Sequence, residues 1–498
     1  MAHTPGSIPP EDHTTAADIT AVEVDADELE AQARSRFRLP DVYVILFCFI
    51  AVAAIATHLI PAGVYDRVTL ANGRKAIDPT TYHAVDGTPA GFVDFLTAIP
   101  EGFIAAADII IFTFIIGGLF AVLRTTGIIE AGIDRLARAM SRQSLLIIPV
   151  LMLTFSGIAT VIGTQELALV YVPVILPLLI ALGFDSVTAA AVALTATSAG
   201  FMSGVLNPIN TGLGQQIAGL PPFSGLGIRA TLWLVITGTA IAYTMWYARR
   251  VRNNPAASHV AGEATEQAKR AAYRHDLSAT PRPMTTRMRI ATGLLLAFFV
   301  VLVWGILTQK WFFVEMSGLF IVTGIVVGLV AGLKTGEICE SFNVGMRDVL
   351  VGAIIVGVAR AVAVVLENAQ IMDTIVNWLG QAVGGLPAAL AAVGMFGLQT
   401  VFSFLVSSGS GQALVTMPIM APLSDVIGVT RQISVLAYQL GDGVSNIIWP
   451  TSGYFMATIA LAGVRYDKWL KFYLPLYAMW IAIAVVALVA AQAVGWNG

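Results

Sequence analysis

The chain has 498 residues, 57% hydrophobic and only 12% charged, with a mean hydropathy of +0.78, which excludes a soluble globular class and leaves a membrane protein. The formal net charge is −3, yet eight acids (Glu11, Asp12, Asp18, Glu23, Asp25, Asp27, Glu28, Glu30) precede the first basic residue, Arg34, so the hydrophobic remainder is mildly basic and implies no nucleic-acid partner. Cys48, in an apolar run, and Cys339, in a loop, support neither a disulfide framework nor a metal cluster and read as inert buried thiols. Residues 1–36 read as a disordered, acidic cytosolic tail lacking the basic start of a signal peptide.

Apolar runs of about 20 residues, enough to cross a bilayer, follow near 41–60, 104–124, 185–218, 229–248, 290–308, 313–333, 345–366, 432–463 and 472–493. Two stretches, 144–182 and 385–427, are each about twice that length. A polar cluster splits each of them: Gly163-Thr164-Gln165-Glu166 in one, Ser407-Ser408-Gly409-Ser410-Gly411 in the other. Both read as re-entrant helical hairpins that enter and leave on one side.

Basic residues test that reading, because short cytoplasmic loops are enriched in them. Arg34, Arg36 and Arg38 place the N-terminus inside; with re-entrant hairpins the basic linker 251–289 is then also inside, as are Lys334, Arg347, Arg465, Lys468 and Lys471. Single-crossing hairpins would put that linker outside. The segment 61–100 becomes the sizeable external loop, its Gly, Pro and Asp content suggesting turns or a small strand pair, and the base-free stretch 367–385 also lies outside.

The chain repeats internally. Ala168-Leu169-Val170-x-x-Pro173-x-x-x-Pro177-Leu178 matches Ala413-Leu414-Val415-x-x-Pro418-x-x-x-Pro422-Leu423, and Ser203 precedes Pro208 by the spacing that separates Ser445 from Pro450. The halves 37–250 and 290–498 thus each hold a hairpin and a broken helix (185–218 and 432–463), in opposite orientation. Broken helices at membrane depth survive only where protein or a water-filled cavity covers them. Hairpin tips aim helix N-termini, with free N–H groups, at such a cavity, which suits a substrate carboxylate. The unwound segments expose carbonyl and side-chain oxygens suited to a sodium ion or a proton-linked network. The fold class is therefore an all-α polytopic membrane protein with two inverted repeats, of the secondary-transporter plan.

Candidate substrate contacts are Gly163, Thr164, Gln165 and Glu166 at tip one; Asn207, Asn210 and Thr211 at break one; Ser407, Ser408, Gly409, Ser410 and Gln412 at tip two; and Thr451 and Ser452 at break two. Asp442, an intramembrane carboxylate about two turns before Pro450, is the candidate coupling-ion group, with Ser445 and Asn446 beside it. Each has a blander use: Glu166 as a helix cap, the Ser/Gly cluster as a turn, the amides as caps of the break, Asp442 as a structural hydrogen-bonder. A fixed negative charge in the cavity disfavours a second substrate carboxylate and so favours amino acids over dicarboxylates. Arg360 and Glu367, seven apart, suit a salt link or a carboxylate clamp; Asp108, His58 and Glu315 read as span-end residues; Trp246 and Trp469 as aromatic belt; Gly117-Gly118 as close helix packing.

The two hairpins, the breaks at 207–211 and 450–453, and their order resemble the ion-transporter superfamily, and residues 37–498 are similar to the YfcC branch of the anaerobic C4-dicarboxylate carrier (DcuC-like) family. The resemblance implies a scaffold domain that forms a homodimer and a mobile domain holding both hairpins that moves as an elevator. By the superfamily's paired Ser-Asn-Thr signatures, Asn210-Thr211 would carry one half-site, whereas tip two has neither Asn nor Thr. Some members of this branch are labelled basic amino-acid antiporters, so arginine- or ornithine-type amino acids and C4-dicarboxylates both stay open.

A channel is disfavoured because no span shows a polar stripe, and an enzyme because neither HExxH nor GxSxG occurs; no Walker A sequence is present either. A receptor or structural role is the remote alternative. The expectation is an ion-coupled carrier or exchanger of a small carboxylate-bearing metabolite in a bacterial cytoplasmic membrane, with lipid as its surroundings, sodium or a proton as coupling ion, and no other cofactor or metal.

Overall fold

The computed structural model describes residues 42–69, 75–129, 131–132, 135, 141–273, 284–309 and 311–498; the expected acidic tail lies outside them, as does part of the basic linker. Helix α1 (Val42–Leu59) leads to four short strands, β1 (Gly63–Val64), β2 (Arg67–Thr69), β3 (Lys75–Ile77) and β4 (His83–Ala84), paired antiparallel as β1–β4 and β2–β3. Then come α2 (Phe92–Ala105), α3 (Ala107–Thr125), α4 (Ile147–Ile162), α5 (Leu167–Ala181), α6 (Ser186–Ser203), a π-helical turn (Pro208–Gly212), α7 (Leu213–Ile217), α8 (Leu226–Asn253) and α9 (Ala264–Tyr273). The second half holds α10 (Thr286–Gln309), α11 (Phe313–Ala331), α12 (Thr335–Asp348), α13 (Leu350–Asn368), α14 (Met372–Gly384), α15 (Ala388–Leu405), α16 (Gly409–Val426), α17 (Arg431–Ser445), α18 (Gly453–Leu461) and α19 (Tyr466–Ala493). Eight helices among the described residues are long and apolar enough to cross a membrane.

Both split stretches fold back on themselves. In the first, the rings of Phe155 on α4 and Tyr171 on α5 stack at 3.8 Å, eight residues either side of Gly163. In the second, Gln412 on α16 donates to the Gln399 carbonyl on α15 at 2.9 Å, and Gln399 donates to Thr416 at 3.0 Å. Gly163, at φ +78°, ends α4, a left-handed cap that glycine adopts without a Cβ penalty. Ser408 starts α16, its hydroxyl accepting from the Gly411 N–H.

The hairpin bases dock on different segments. Ser144 before α4 accepts from Arg252 at 2.5 Å, and Asp185 after α5 accepts from Ser258 and Tyr247 at 2.5 and 2.8 Å, all at the linker. The second hairpin instead meets the strands: α14 packs on β1 and α16 on β3, and Arg67 pairs with Asp373 at 3.0 Å. Helices α8 and α19, of 28 residues each, connect these two ends, a rise of about 42 Å. At the linker end α9 straps both halves, since Glu266 accepts from Ser186 at 2.5 Å while Lys269 donates to the Ala462 carbonyl at 2.5 Å.

Beside the hairpins, α2–α3 and α12–α13 form two bent antiparallel rods that cross where side chains vanish: a Cβ on Gly102 would stand 2.4 Å from the Gly357 carbonyl oxygen, and one on Gly117 2.6 Å from that of Gly345. Small residues let the backbones approach this closely. Several expectations need correction. Cys48 and Cys339 are both exposed: Cys48 lies on the outward face of an apolar helix beside exposed Phe47, where lipid rather than protein would cover it, and Cys339 is in α12, not a loop. Trp469 is fully buried and donates to the Ile447 carbonyl at 2.7 Å, so it is a core residue, whereas Trp246 is 53% exposed as a belt residue should be. Amphipathic α14 occupies the stretch 367–385, where no helix was expected.

Linker docking carries a pH dependence. His259 stacks on Tyr247 at 5.1 Å, and burial pushes its pKa below the ordinary value, opposed by Asp185 and assisted by Lys471, Arg250 and Lys468. The docked state therefore binds fewer protons than the free linker. Docking is at full strength above the unperturbed value of about 6.5 and weakens as pH falls below it. Hydrogen exchange across residues 254–273 should be faster at about pH 5 than at about pH 7.5 after correction for intrinsic rates.

Candidate functional site

The two tips meet. They border one cavity of about 690 Å³, whose wall takes Gly163, Thr164, Gln165 and Glu166 from tip one and Ser407, Ser408, Gly409 and Ser410 from tip two. The first break adds Pro208, Gly212 and Leu213, the second adds Asn446, and Trp311 and Phe312 close it from the start of α11. The N-terminal ends of α5 and α16 both open onto this space. Glu166 is the charged residue on the wall.

Glycine sets the tip contacts. A Cβ on Gly163 would stand 2.2 Å from the Asn207 side-chain oxygen, and one on Gly409 would stand 2.7 Å from Asp442 Oδ2 and 2.9 Å from Phe201. Tip one thus rests on break one, and tip two rests on the Asp442 carboxylate of the broken helix in its own half. Tyrosines fix both: Tyr438 donates to the Gly409 carbonyl at 2.6 Å, and Tyr454 donates to the Gln165 side-chain oxygen.

Behind tip two lies a buried polar cluster. Asp442 accepts from Asn210 Nδ2 at 3.1 Å and from Asn446 Nδ2 at 2.8 Å, and Asn207 Oδ1 accepts from the Asn210 N–H at 2.9 Å. Asp442, Asn207 and Asn210 are fully buried, and Asn446 is nearly so. Asn210 Oδ1 here is buried without a hydrogen-bond partner, which leaves an acceptor free for a donor or cation. Asp442 lies in the last turn of α17, closer to its break than the distance to Pro450 suggested, because the helix ends at Ser445.

The remaining expected residues brace the site. Thr211 donates to the Gly204 carbonyl at 2.9 Å, Ser445 to Gly441 at 2.6 Å, and Thr451 to Phe404 at 2.8 Å. Gln412 stays between the arms of its hairpin with Gln399 and Thr416. Arg360 pairs with Glu367 at 3.1 Å. Asp108 lies in the first turn of the span helix α3, as expected of a span-end residue, and the bend where α2 and α3 join at Ala106 leaves it within electrostatic reach of Glu166. Glu166 is likewise within reach of Asp442, so the acid on the cavity wall feels two others that lie behind it.

A polar stripe also exists, contrary to expectation. Gln432, Gln439, Asp442 and Asn446 share one face of α17 and are all buried. Amides among Ile, Val, Leu and Ala leave the run apolar on average, yet their spacing of seven, three and four residues was readable at helical period. Trp311, Phe312 and Tyr454 gave no such signal, since aromatics are equally ordinary in apolar spans.

Residues 39–493 match the family DcuC, C4-dicarboxylate anaerobic carrier. The chain is similar to "Putative basic amino acid antiporter YfcC" of Escherichia coli (strain K12), 34% identical over 507 aligned residues covering 94% of this chain and 99% of that one. It is also similar to a Haemophilus influenzae protein, 28% identical over 92% of this chain and 98% of that one. Among solved structures, the Alcanivorax borkumensis YdaH transporter matches at 15% identity and a TM-score of 0.41, over 92% of this chain and 99% of that one. The match over 39–493 and the 34% relative establish that this multi-pass chain belongs to the DcuC family of C4-dicarboxylate anaerobic carriers, and is a membrane transporter and not an enzyme.

Proposed function

We propose that the chain is an ion-coupled secondary transporter or exchanger of an amino acid, of the basic arginine or ornithine type. The observation that carries this is the cavity's make-up: two helix N-termini suited to a carboxylate, and Glu166 as its charged side chain, suited to an ammonium or guanidinium group. An amino acid with a cationic side chain satisfies both, and the volume fits a small metabolite. The name of the Escherichia coli relative points the same way.

In this reading the coupling ion, sodium or a proton, sits at Asp442 with Asn210 and Asn446, and the halves are inverted repeats with re-entrant hairpins. Helices α4–α7 and α15–α18 would move as an elevator against a scaffold built on α2–α3 and α11–α13. The scaffold would pair in a homodimer in a bacterial cytoplasmic membrane, with the linker and N-terminus in the cytoplasm. The second reading, a C4-dicarboxylate carrier, is favoured by the family match.

Purified protein in liposomes, offered labelled arginine, ornithine, succinate and fumarate with and without imposed sodium and proton gradients, separates these. The expected result is saturable arginine or ornithine exchange, with succinate and fumarate excluded. Succinate or fumarate transport alone would move the assignment to the dicarboxylate reading, and transport of none of the four would remove both substrate assignments.

A further inference from the structure

The polar stripe on α17 continues past the site. Ser224, ahead of α8, accepts from Gln215 at 3.2 Å and from Gln432; Gln215 also donates to Gln432 at 3.3 Å. Gln439 stands one turn before Asp442 on the same face, its amide donating to the Met202 carbonyl at 3.2 Å and lying against Gly204 at break one. A file of buried polar groups therefore runs from the α7–α8 turn, where Ser224 is partly exposed, to Asp442 and, through Asn446, to the cavity. Arg229 crosses this file. It is fully buried, and its two terminal nitrogens donate to Gln439 and, at 3.4 Å, to Gln432, while its Nε has no partner.

Among the described residues no carboxylate is paired with Arg229; its neighbours are neutral amides and the Trp496 ring at 5.8 Å. Guanidinium stays protonated at any working pH, so its charge stands uncancelled on the file. A buried ion without an opposite partner is costly to keep. A fixed positive charge on a narrow polar path is also what repels protons and cations from it.

We propose that Arg229 is an electrostatic plug: it closes a latent cation path along Gln432 and Gln439 to Asp442, so that the coupling ion reaches Asp442 only through the substrate cavity. The inference rests on Asp442 being the coupling site. A carrier with a second, substrate-independent route to that site would dissipate the gradient that drives it. The competing use of Arg229, as a brace tying α8 to α17 through two glutamines, needs its forked geometry; the plug needs only its charge.

The test is proton and sodium flux into substrate-free liposomes under an imposed potential, with arginine and succinate exchange measured on the same preparations. Arg229→Gln should raise cation flux by about tenfold or more, Arg229→Lys should leave it at the wild-type level, and adding Gln439→Leu to Arg229→Gln should bring it back down. Unchanged flux in Arg229→Gln with exchange intact overturns the plug, as does a Lys variant that leaks as much as the Gln variant, which would make Arg229 a brace. Should Arg229→Gln fail to fold, Arg229→His carries the test: flux that rises between about pH 5.5 and about pH 7.5 as imidazolium discharges supports the plug, and flux that ignores pH overturns it. Absent exchange in the wild type would instead indict the substrate assignment, because flux is read without substrate.

Discussion

Asp442→Asn should lower gradient-driven accumulation on the order of 100-fold while leaving the protein folded, since removing a buried charge from its hydrogen-bonded partners is worth a few kcal/mol. The two amide donors that converge on Asp442, from Asn210 and Asn446, come from opposite halves of the chain, and both require an acceptor at 442. Asparagine offers one oxygen and one NH₂, so at least one amide must turn or lose its partner, at about 1–3 kcal/mol. It also removes the charge that a cation would neutralise. The signature is selective: dependence on the sodium or proton gradient disappears, whereas substrate counterflow at zero gradient, which needs the cavity and not the coupling ion, is retained better. Glutamate at 442 is the useful second variant, because it restores charge but pushes it toward Gly409, whose missing Cβ already leaves no spare room. Unchanged sodium and pH dependence in Asp442→Asn would retire the carboxylate from coupling.

The parts legible in sequence are those with a covalent or periodic cause. Pro208 and Pro450, glycine at Gly163 and the polar clusters between apolar arms mark, within a few residues, the places where the helices stop, whereas the paired prolines at 173/177 and 418/422 signal the repeat but lie inside continuous helices. The carboxylate at 442 stood out because charge inside an apolar run is rare. What stayed hidden depends on which faces meet. Asp108 is the span-end residue it reads as, but its electrostatic reach to Glu166 depends on the bend at Ala106 between Phe92–Ala105 and the span, which no local pattern marks. Gln432 and Gln439 were invisible to an average over the helix, and Arg229, the first residue of the apolar run 229–248, draws no notice although it is fully buried. Tyr438 and Tyr454 hold the tips through hydroxyls whose partners come from other helices, and nothing local marks that.

Tip geometry yields the other large effect: Gly163→Ala and Gly409→Ala should each reduce uptake on the order of 100-fold for different physical reasons. At Gly163 the backbone is left-handed, φ +78°, so alanine is strained by about 1–2 kcal/mol before any contact is counted, and its Cβ would then lie 2.2 Å from Asn207 Oδ1. Tip one must lift off break one or push Asn207 away from the Asn210 N–H it accepts from. At Gly409 no left-handed conformation is involved. There the Cβ meets Asp442 Oδ2 at 2.7 Å and Phe201 at 2.9 Å, so relief comes from moving tip two or the carboxylate, and either widens the cavity and misplaces the start of α16. Misplacement of about 1 Å is enough to cost two orders of magnitude where binding depends on converging groups. Two glycines on the same hairpin arms supply the control, since a Cβ on Gly157 or Gly397 meets nothing within 4 Å; alanine there should transport normally and raise the melting temperature slightly, as the better helix former. The comparison separates loss of function from loss of fold: both tip variants should melt within a few degrees of wild type and lose uptake, with Gly409→Ala also shifting the sodium or pH dependence because it touches Asp442 and Gly163→Ala leaving that dependence in place. Tip variants that transport as well as the two controls would mean that the tips do not close on the solute, and the cavity between them would lose its claim to be the substrate site.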